Sequence, residues 1–299
     1  MALEKKKRKK PFLYIIRKKA LGDVLWMEPV IALLAAEYRQ IIVISHYYKI
    51  FDNYPLRNVS FRRKWNWIDK FYIKHLAPRF FKNYGVMQLD MAYENTPQMH
   101  VLRAYFTTAG YPNHALRYPV LYLSEKEKMV PRPNPYVLFH LDPPSTLLNY
   151  RNAHGIDWQT VIDHVFKLGF EPIVISDNNL GSKYGVKTIA PPLRELVSYI
   201  NGCSMLIGLD SGPSQIAASL KKPTVIFFGS VNPWFRHLES GFNGVIMQKP
   251  CEFAGCYHEV IDHQGKTCQL VGDAGIPKCC NFSTMECIVA VDKCFAKNA

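Results

Sequence analysis

The sequence predicts an α/β protein built from two doubly wound, parallel-sheet halves. Two observations carry this expectation. An apolar run, a polar loop, an amphipathic stretch and a second apolar run follow one another twice, in FLYIIRKKALGDVLWMEPVIALLAAEYRQIIVIS (12–45) and in residues 205–228. Between these units, strand-like and helix-like segments keep alternating, which is the pattern of parallel sheets wrapped by helices.

The elements follow in chain order. Phe12 to Ile16 reads as a buried strand, broken by Gly22-Asp23. Pro29 suits the first turn of a helix, and Val30, Leu33, Leu34 and Tyr38 recur at helical spacing before the strand Ile41 to Ile44. The connection is far too long for a hairpin, so the two strands are expected to be parallel. Residues 49–118 show no clear period. Tyr136 to Leu141 is a strand, and DWQTVIDHVFKLG (157–169) is an amphipathic helix stopping at Gly169. EPIVIS (171–176) is a strand and PLRELVSYINGC (192–203) a helix. Met205 to Leu209 is a strand, Pro213 to Lys221 a helix with Ile216 and Leu220 one turn apart, and Thr224 to Phe228 a strand. The polar, proline-rich SEKEKMVPRPNP (124–135) marks a boundary. The expected organisation is a basic tail (1–10), an N-terminal domain (11–130), a second domain (131–250) and a Cys-rich segment (251–299) packing back on them.

Composition narrows the function classes. The 299 residues are 48% hydrophobic, and no apolar run approaches the ~20 residues that span a bilayer. A protein without transmembrane segment or signal peptide is expected, cytoplasmic and able to associate peripherally with the inner face of a membrane. Residues 1–130 hold 23 Lys+Arg against 10 Asp+Glu, and the remainder 14 of each. The N-terminal half therefore carries the entire excess of +13, which points to an anionic partner. Six of those charges form KKKRKK (5–10), a solvated tail or a nuclear-localisation-like run.

Seven of eight cysteines lie between Cys251 and Cys294, irregularly spaced and without a Cys-x-x-Cys pair. Reduced thiols in a compact tail are the leading expectation. Disulfides and a zinc-type site from Cys251, Cys256, His258 and Cys268 are the alternatives.

Two loops carry chemistry. Asp210-Ser211-Gly212-Pro213-Ser214 follows a strand and opens a helix, where free backbone N–H groups and the helix dipole suit an anion such as a pyrophosphate. The bland alternative is a helix cap from Asp210 or Ser211. Gly22-Asp23 occupies the equivalent place in the first unit. A carboxylate there is a candidate general base, and Arg17, Lys18 and Lys19 favour its ionised form. A cap is again the alternative. There is no Asp-x-Asp pair, Walker A loop or Gly-x-Gly-x-x-Gly fingerprint, which counts against metal-clamped sugar-nucleotide chemistry, ATPases and ordinary dehydrogenases.

ALGDVLWMEPVIALLAAEY (20–38) resembles the N-terminal motif of the family 9 glycosyltransferases, the lipopolysaccharide heptosyltransferases and their relatives, and GLDSGPSQIAASLKKPTVIFFGSVNPWFRH (208–237) resembles their donor motif. YRNAHGIDWQTVIDHVFKLGFEPIVIS (150–176) looks like the segment between. The resemblance covers roughly 11–45 and 136–240. It implies a GT-B fold, with two Rossmann-like domains facing across a cleft, and inverting, metal-independent transfer with no cofactor beyond a nucleotide-sugar substrate. Asp23 matches the family's catalytic base. Asp210, Ser211, Gly212, Pro213, Ser214 and Gln215, with Ser145 and Arg151, would hold the donor. Gln215 stands where the family commonly has His, Arg151 is the nearest candidate for a basic residue out of register, and DNNLGSK (177–183) replaces the nucleoside-binding pattern. The donor's base and sugar are therefore open.

The resemblance places the acceptor on the basic half, with Lys18, Lys19, Gly22, Arg62, Arg63 and Lys64 as its candidate contacts. A phosphorylated lipopolysaccharide-type glycoconjugate is the leading acceptor. FRRKWNWIDKFYIKHLAPRFFKNY (61–84) interleaves cations with aromatics, which suits nucleic acid, a membrane interface or sugar, and equally an amphipathic core helix with a solvated basic face. A phage-type enzyme that glycosylates a hydroxylated DNA base is the alternative, and a non-catalytic nucleotide-sugar-binding module is the second.

Overall fold

The computed structural model describes residues 9–71, 74–75, 84–96, 98–128, 134–142, 149–253, 255–256, 268, 270–271 and 275–298. Most of the KKKRKK run, part of the 61–84 stretch, Ser145 and His258 lie outside them. The chain divides into two compact units, residues 1–96 with 101–122, and residues 97–100 with 123–299.

The first unit is a four-stranded parallel sheet. Its elements are β1 (Lys10–Ile16), α1 (Leu21–Leu25), α2 (Glu28–Ala35), β2 (Tyr38–Ile44), β3 (Val59–Arg62), α3 (Trp67–Phe71), β4 (Tyr84–Gln88) and α4 (Val101–Thr108). The spatial order is β3-β2-β1-β4. β1 buries consecutive residues rather than alternate ones, as a strand covered on both faces must. Tyr14, Ile42 and Ile44 form the core of one face, closed by Phe12 and Trp65. Pro29 sits in the first turn of α2, as expected. β3, α3, β4 and α4 occupy the region in which no period was legible.

The second unit is a six-stranded parallel sheet. After the short α5 (Glu125–Lys128) come β5 (Tyr136–His140), α6 (Trp158–Lys167), β6 (Glu171–Ile175), β7 (Lys187–Ile189), α7 (Leu193–Gly202), β8 (Met205–Leu209), α8 (Gly212–Ser219), β9 (Thr224–Phe227), β10 (Gly244–Met247) and α9 (Thr284–Asn298). The order is β10-β9-β8-β5-β6-β7. Counted from β5, that is the 3-2-1-4-5-6 arrangement of dinucleotide-binding sheets, with its direction of winding reversed between β5 and β8. α9 closes the core, with Cys287, Ala290, Val291 and Cys294 buried against strand residues such as Val225 and Phe227. Both sheets belong to the expected two-domain α/β class.

Candidate functional site

In open parallel sheets, ligands bind beyond the carboxyl ends of the strands that flank the reversal point. In the first unit those strands are β1 and β4, and a polar cluster stands there. Arg17 directly follows β1 and is buried. Its Nη2 donates to Asp23 Oδ2 at 2.5 Å and to Glu94 Oε1 at 2.9 Å, and its Nη1 donates to the Leu89 carbonyl at 3.2 Å. The Tyr93 hydroxyl donates to the same Asp23 oxygen at 3.0 Å. One carboxylate oxygen is thus pinned twice, while no described group binds Oδ1. Asp23 is 6% exposed.

Asp23 lies within α1 rather than at its cap, which is Ala20. Its side chain binds Arg17 and Tyr93 and not the helix backbone, so the cap reading does not describe it. Ala20 takes a φ of 60°, in the half of the map that L-residues disfavour, to turn the chain from β1 into α1. Burial opposes the Arg17 charge. Tyr105, Asp23, Tyr93 and Glu94 outweigh it and hold the guanidinium above its ordinary value, a permanent cation.

In the second unit β5 and β8 flank the reversal. Gly208 pairs with His140 across them, and a Cβ on Gly208 would lie 2.7 Å from the His140 carbonyl oxygen. Glycine therefore lets the strands meet with the histidine at the carboxyl end. His140 Nδ1 stands 3.0 Å from Ser211 Oγ. Burial lowers the imidazole's proton affinity against the pull of Asp142 and Asp177. Ser211 is the N-cap of α8, and its backbone N–H donates to Ser214 Oγ at 3.1 Å. Asp210 is not a cap. Its Oδ2 accepts from Arg151 Nη2 at 2.8 Å, and its carbonyl accepts from the same nitrogen at 3.1 Å. Gly229 lets the Tyr150 carbonyl come within 1.9 Å of where a Cβ would stand, which seats the Asn149–Arg151 turn beside the loop.

Gln215 is buried one turn into α8, its Nε2 3.2 Å from His237 Nε2. His237 lies edge-on to Phe228 and Phe242. Burial pulls its pKa down to about 4, with Asp210 opposing and Arg236 assisting.

Of the sequence-predicted donor residues, Asp210, Ser211, Gly212, Pro213, Ser214, Gln215 and Arg151 come together at the start of α8, and Ser145 lies outside the described residues. Lys18, Lys19, Arg63 and Lys64 are exposed after β1 and β3, at the same edge of the parallel sheet as Asp23. Arg62 instead binds Asp69 through Nη1, at 3.1 and 2.9 Å to its two oxygens. Gly22 precedes Asp23 in α1. Tyr93, Glu94, His140 and His237 were not singled out from the sequence. His140 carried a signal, a polar residue closing an apolar strand, by the same rule that singled out Asp210.

All eight cysteines are free thiols. Burial pushes the Cys203 and Cys287 thiols up to about 12 and Cys256 and Cys294 up to about 11, which makes them poor nucleophiles at neutral pH. Among the described residues no group of three His, Cys, Asp or Glu is placed to hold a metal ion, and His258 lies outside them.

Residues 176–247 match the family model described as glycosyltransferase family 9 (heptosyltransferase). That span includes the whole α8 loop. No curated protein matches the chain. Among solved structures, the iron-containing dodecameric glycosyltransferase TibC of enterotoxigenic E. coli is 18% identical, with a TM-score of 0.72 over 98% of this chain and 78% of TibC. It has also been solved with ADP-D-β-D-heptose. A family 9 glycosyltransferase of Veillonella parvula is 14% identical, with a TM-score of 0.65 over 97% of this chain and 98% of its own. The E. coli ADP-heptose lipopolysaccharide heptosyltransferase II is 12% identical, with a TM-score of 0.64 over 96% and 99%. The chain thus shares the fold of these glycosyltransferases, and its residues 176–247 carry the similarity to family 9.

Proposed function

We propose that the protein is an inverting glycosyltransferase that moves a sugar from a nucleotide-sugar donor to a hydroxyl of an anionic acceptor, without a metal ion. The observation that carries this reading is the placement of the Asp210–Ser214 loop. It lies inside the family-matched segment, at the helix start beyond the β5/β8 reversal point.

In this reading the donor diphosphate sits at the positive end of α8, with Arg151 alongside. Arg151, oriented by Asp210, stabilises the charge that grows on the leaving nucleotide. Asp23 Oδ1 takes the proton of the acceptor hydroxyl as that oxygen attacks the anomeric carbon from the face opposite the leaving group. Arg17 and Tyr93 fix the other carboxylate oxygen, so the base enters the reaction in one orientation. Gln215 faces His237 and acts as structural support for the loop rather than as a phosphate ligand.

ADP-heptose, the ligand in the TibC complex, is the first donor to try, and a lipopolysaccharide-type glycoconjugate the first acceptor. Lys18, Lys19, Arg63 and Lys64 supply the positive edge for its phosphates. The test is a panel of sugar nucleotides offered with deacylated lipopolysaccharide core or hydroxymethylated DNA, with products read by mass spectrometry. Transfer to the core with inverted anomeric configuration supports the reading. Transfer to DNA alone replaces the acceptor. Donor binding with no product on either overturns transfer and leaves a nucleotide-sugar-binding module.

A further inference from the structure

α3 is built inside out. Its one buried residue is Asp69, whereas Trp67, Ile68 and Phe71 are 77%, 55% and 53% exposed. The acid is not stray. The Tyr14 hydroxyl donates to Asp69 Oδ1 at 2.9 Å, Arg62 binds both oxygens, and the Asn66 backbone N–H donates to Oδ2 at 3.0 Å. The Asp69 N–H in turn donates to Asn66 Oδ1 at 2.7 Å. This polar anchor fixes the turn on the sheet and points three large apolar side chains at solvent. A water-facing helix would be patterned the other way.

The charges around the apolar residues are of one sign. Arg63, Lys64, Lys70 and Lys74 are all exposed, and the only acid in 61–75 is the buried Asp69. A cavity of about 260 Å³ lined by Phe12, Tyr14, Ile42 and Ile68, with Arg62 and Asn66 among its polar walls, continues the patch toward the sheet.

We infer that Trp67, Ile68 and Phe71, with their flanking cations, dock the protein on an anionic membrane surface. A Trp and two apolar side chains enter the headgroup boundary while lysines and arginines meet lipid phosphates. Nucleic acid also attracts cations and aromatic rings, but Ile68 has no face to stack on a base, and its exposure favours lipid. A second copy of the chain would bring four more cations against these four, so charge complementarity selects the lipid. Among the described residues no helix is long and apolar enough to cross a membrane, so this is attachment to a surface.

The test is co-sedimentation of the full chain with vesicles of phosphatidylcholine and phosphatidylglycerol mixed two to one, against phosphatidylcholine alone. Binding is expected to the anionic vesicles, to weaken with salt, and to fall at least about tenfold in the Trp67→Ser/Ile68→Ser/Phe71→Ser variant. Phe71→Ser alone and Lys70→Glu/Lys74→Glu keep the test valid if the triple variant is unstable, and each should weaken binding while melting like the wild type. Wild-type affinity in these folded variants would overturn the inference. So would duplex DNA binding that depends on these residues without vesicle binding, or a dimer in sedimentation velocity that the substitutions split. No turnover is involved, so failure here would leave the transfer reading standing.

Discussion

Arg17 Nη2 bridges two carboxylates, lying 2.5 Å from Asp23 and 2.9 Å from Glu94. Arg17 directly follows β1, Asp23 belongs to α1, and Glu94 to the segment after β4. The strand reversal of the first sheet is therefore locked by one guanidinium that also faces the candidate base. The guanidinium holds that carboxylate in one place, and Glu94 in turn holds the guanidinium.

Glu94→Gln should lower kcat by about 3- to 10-fold with the donor KM unchanged, since Arg17 then keeps one carboxylate partner of two and holds Asp23 less firmly. Steady-state kinetics beside a denaturant melt measures this, because a purely structural role would lower stability and leave the kcat of the folded protein in place.

Arg151→Ala should raise the donor KM or Kd by about tenfold or more, because the loop loses a charged donor and Asp210 is left without its partner. Arg151→Lys should recover only part of the loss, since one ammonium cannot hold both the Asp210 carboxylate and its carbonyl while also reaching phosphate. Calorimetric titration with the nucleotide sugar and with the free nucleoside diphosphate measures this.

His237 should make the second unit acid-labile. Its native pKa of about 4 lies below the ordinary 6.5, so the unfolded chain takes up a proton first as pH falls. The stability tied to neutral His237 is complete above 6.5, declines as pH drops toward 4, and is lost below that, by about 3 kcal/mol. Denaturant melts between pH 7 and pH 4 should show the decline, and His237→Gln should flatten it.

Gly208→Ala should destabilise the protein by about 1–3 kcal/mol, because the new Cβ would meet the His140 carbonyl and force β5 and β8 apart. Donor affinity should fall with it, since His140 and Ser211 are positioned by that contact. Equal stability of the variant in chemical denaturation would remove Gly208 from the account.

The legible part of the fold was the part with strong local signals. β8 ends at Leu209 and β5 starts at Tyr136, as the apolar runs imply, and α6 stops before Gly169. α8 starts at Gly212 and ends at Ser219, a shift of one or two residues from the pattern. Residues 49–118 gave no period because β3 and β4 are short and α3 inverts its pattern around Asp69. At the site, Asp23 and the Asp210–Ser214 loop were legible because loop chemistry is local. Tyr93 and Glu94 were not, since they reach Asp23 and Arg17 only after β4 is laid beside β1. Gln215 was read as a phosphate donor because its burial against His237 depends on the fold. Arg62 was read as an acceptor contact for the same reason, its bond to Asp69 being visible only in three dimensions.

Asp23→Asn is the decisive substitution for Asp23 as the base of a transfer reaction. The amide keeps the shape of the side chain and can still meet the Tyr93 hydroxyl, but it cannot take a proton. Single-turnover transfer should fall by a factor of about 10²–10⁴ while calorimetric affinity for the nucleotide sugar stays within about twofold. Transfer at the wild-type rate by a folded Asp23→Asn protein would contradict the account.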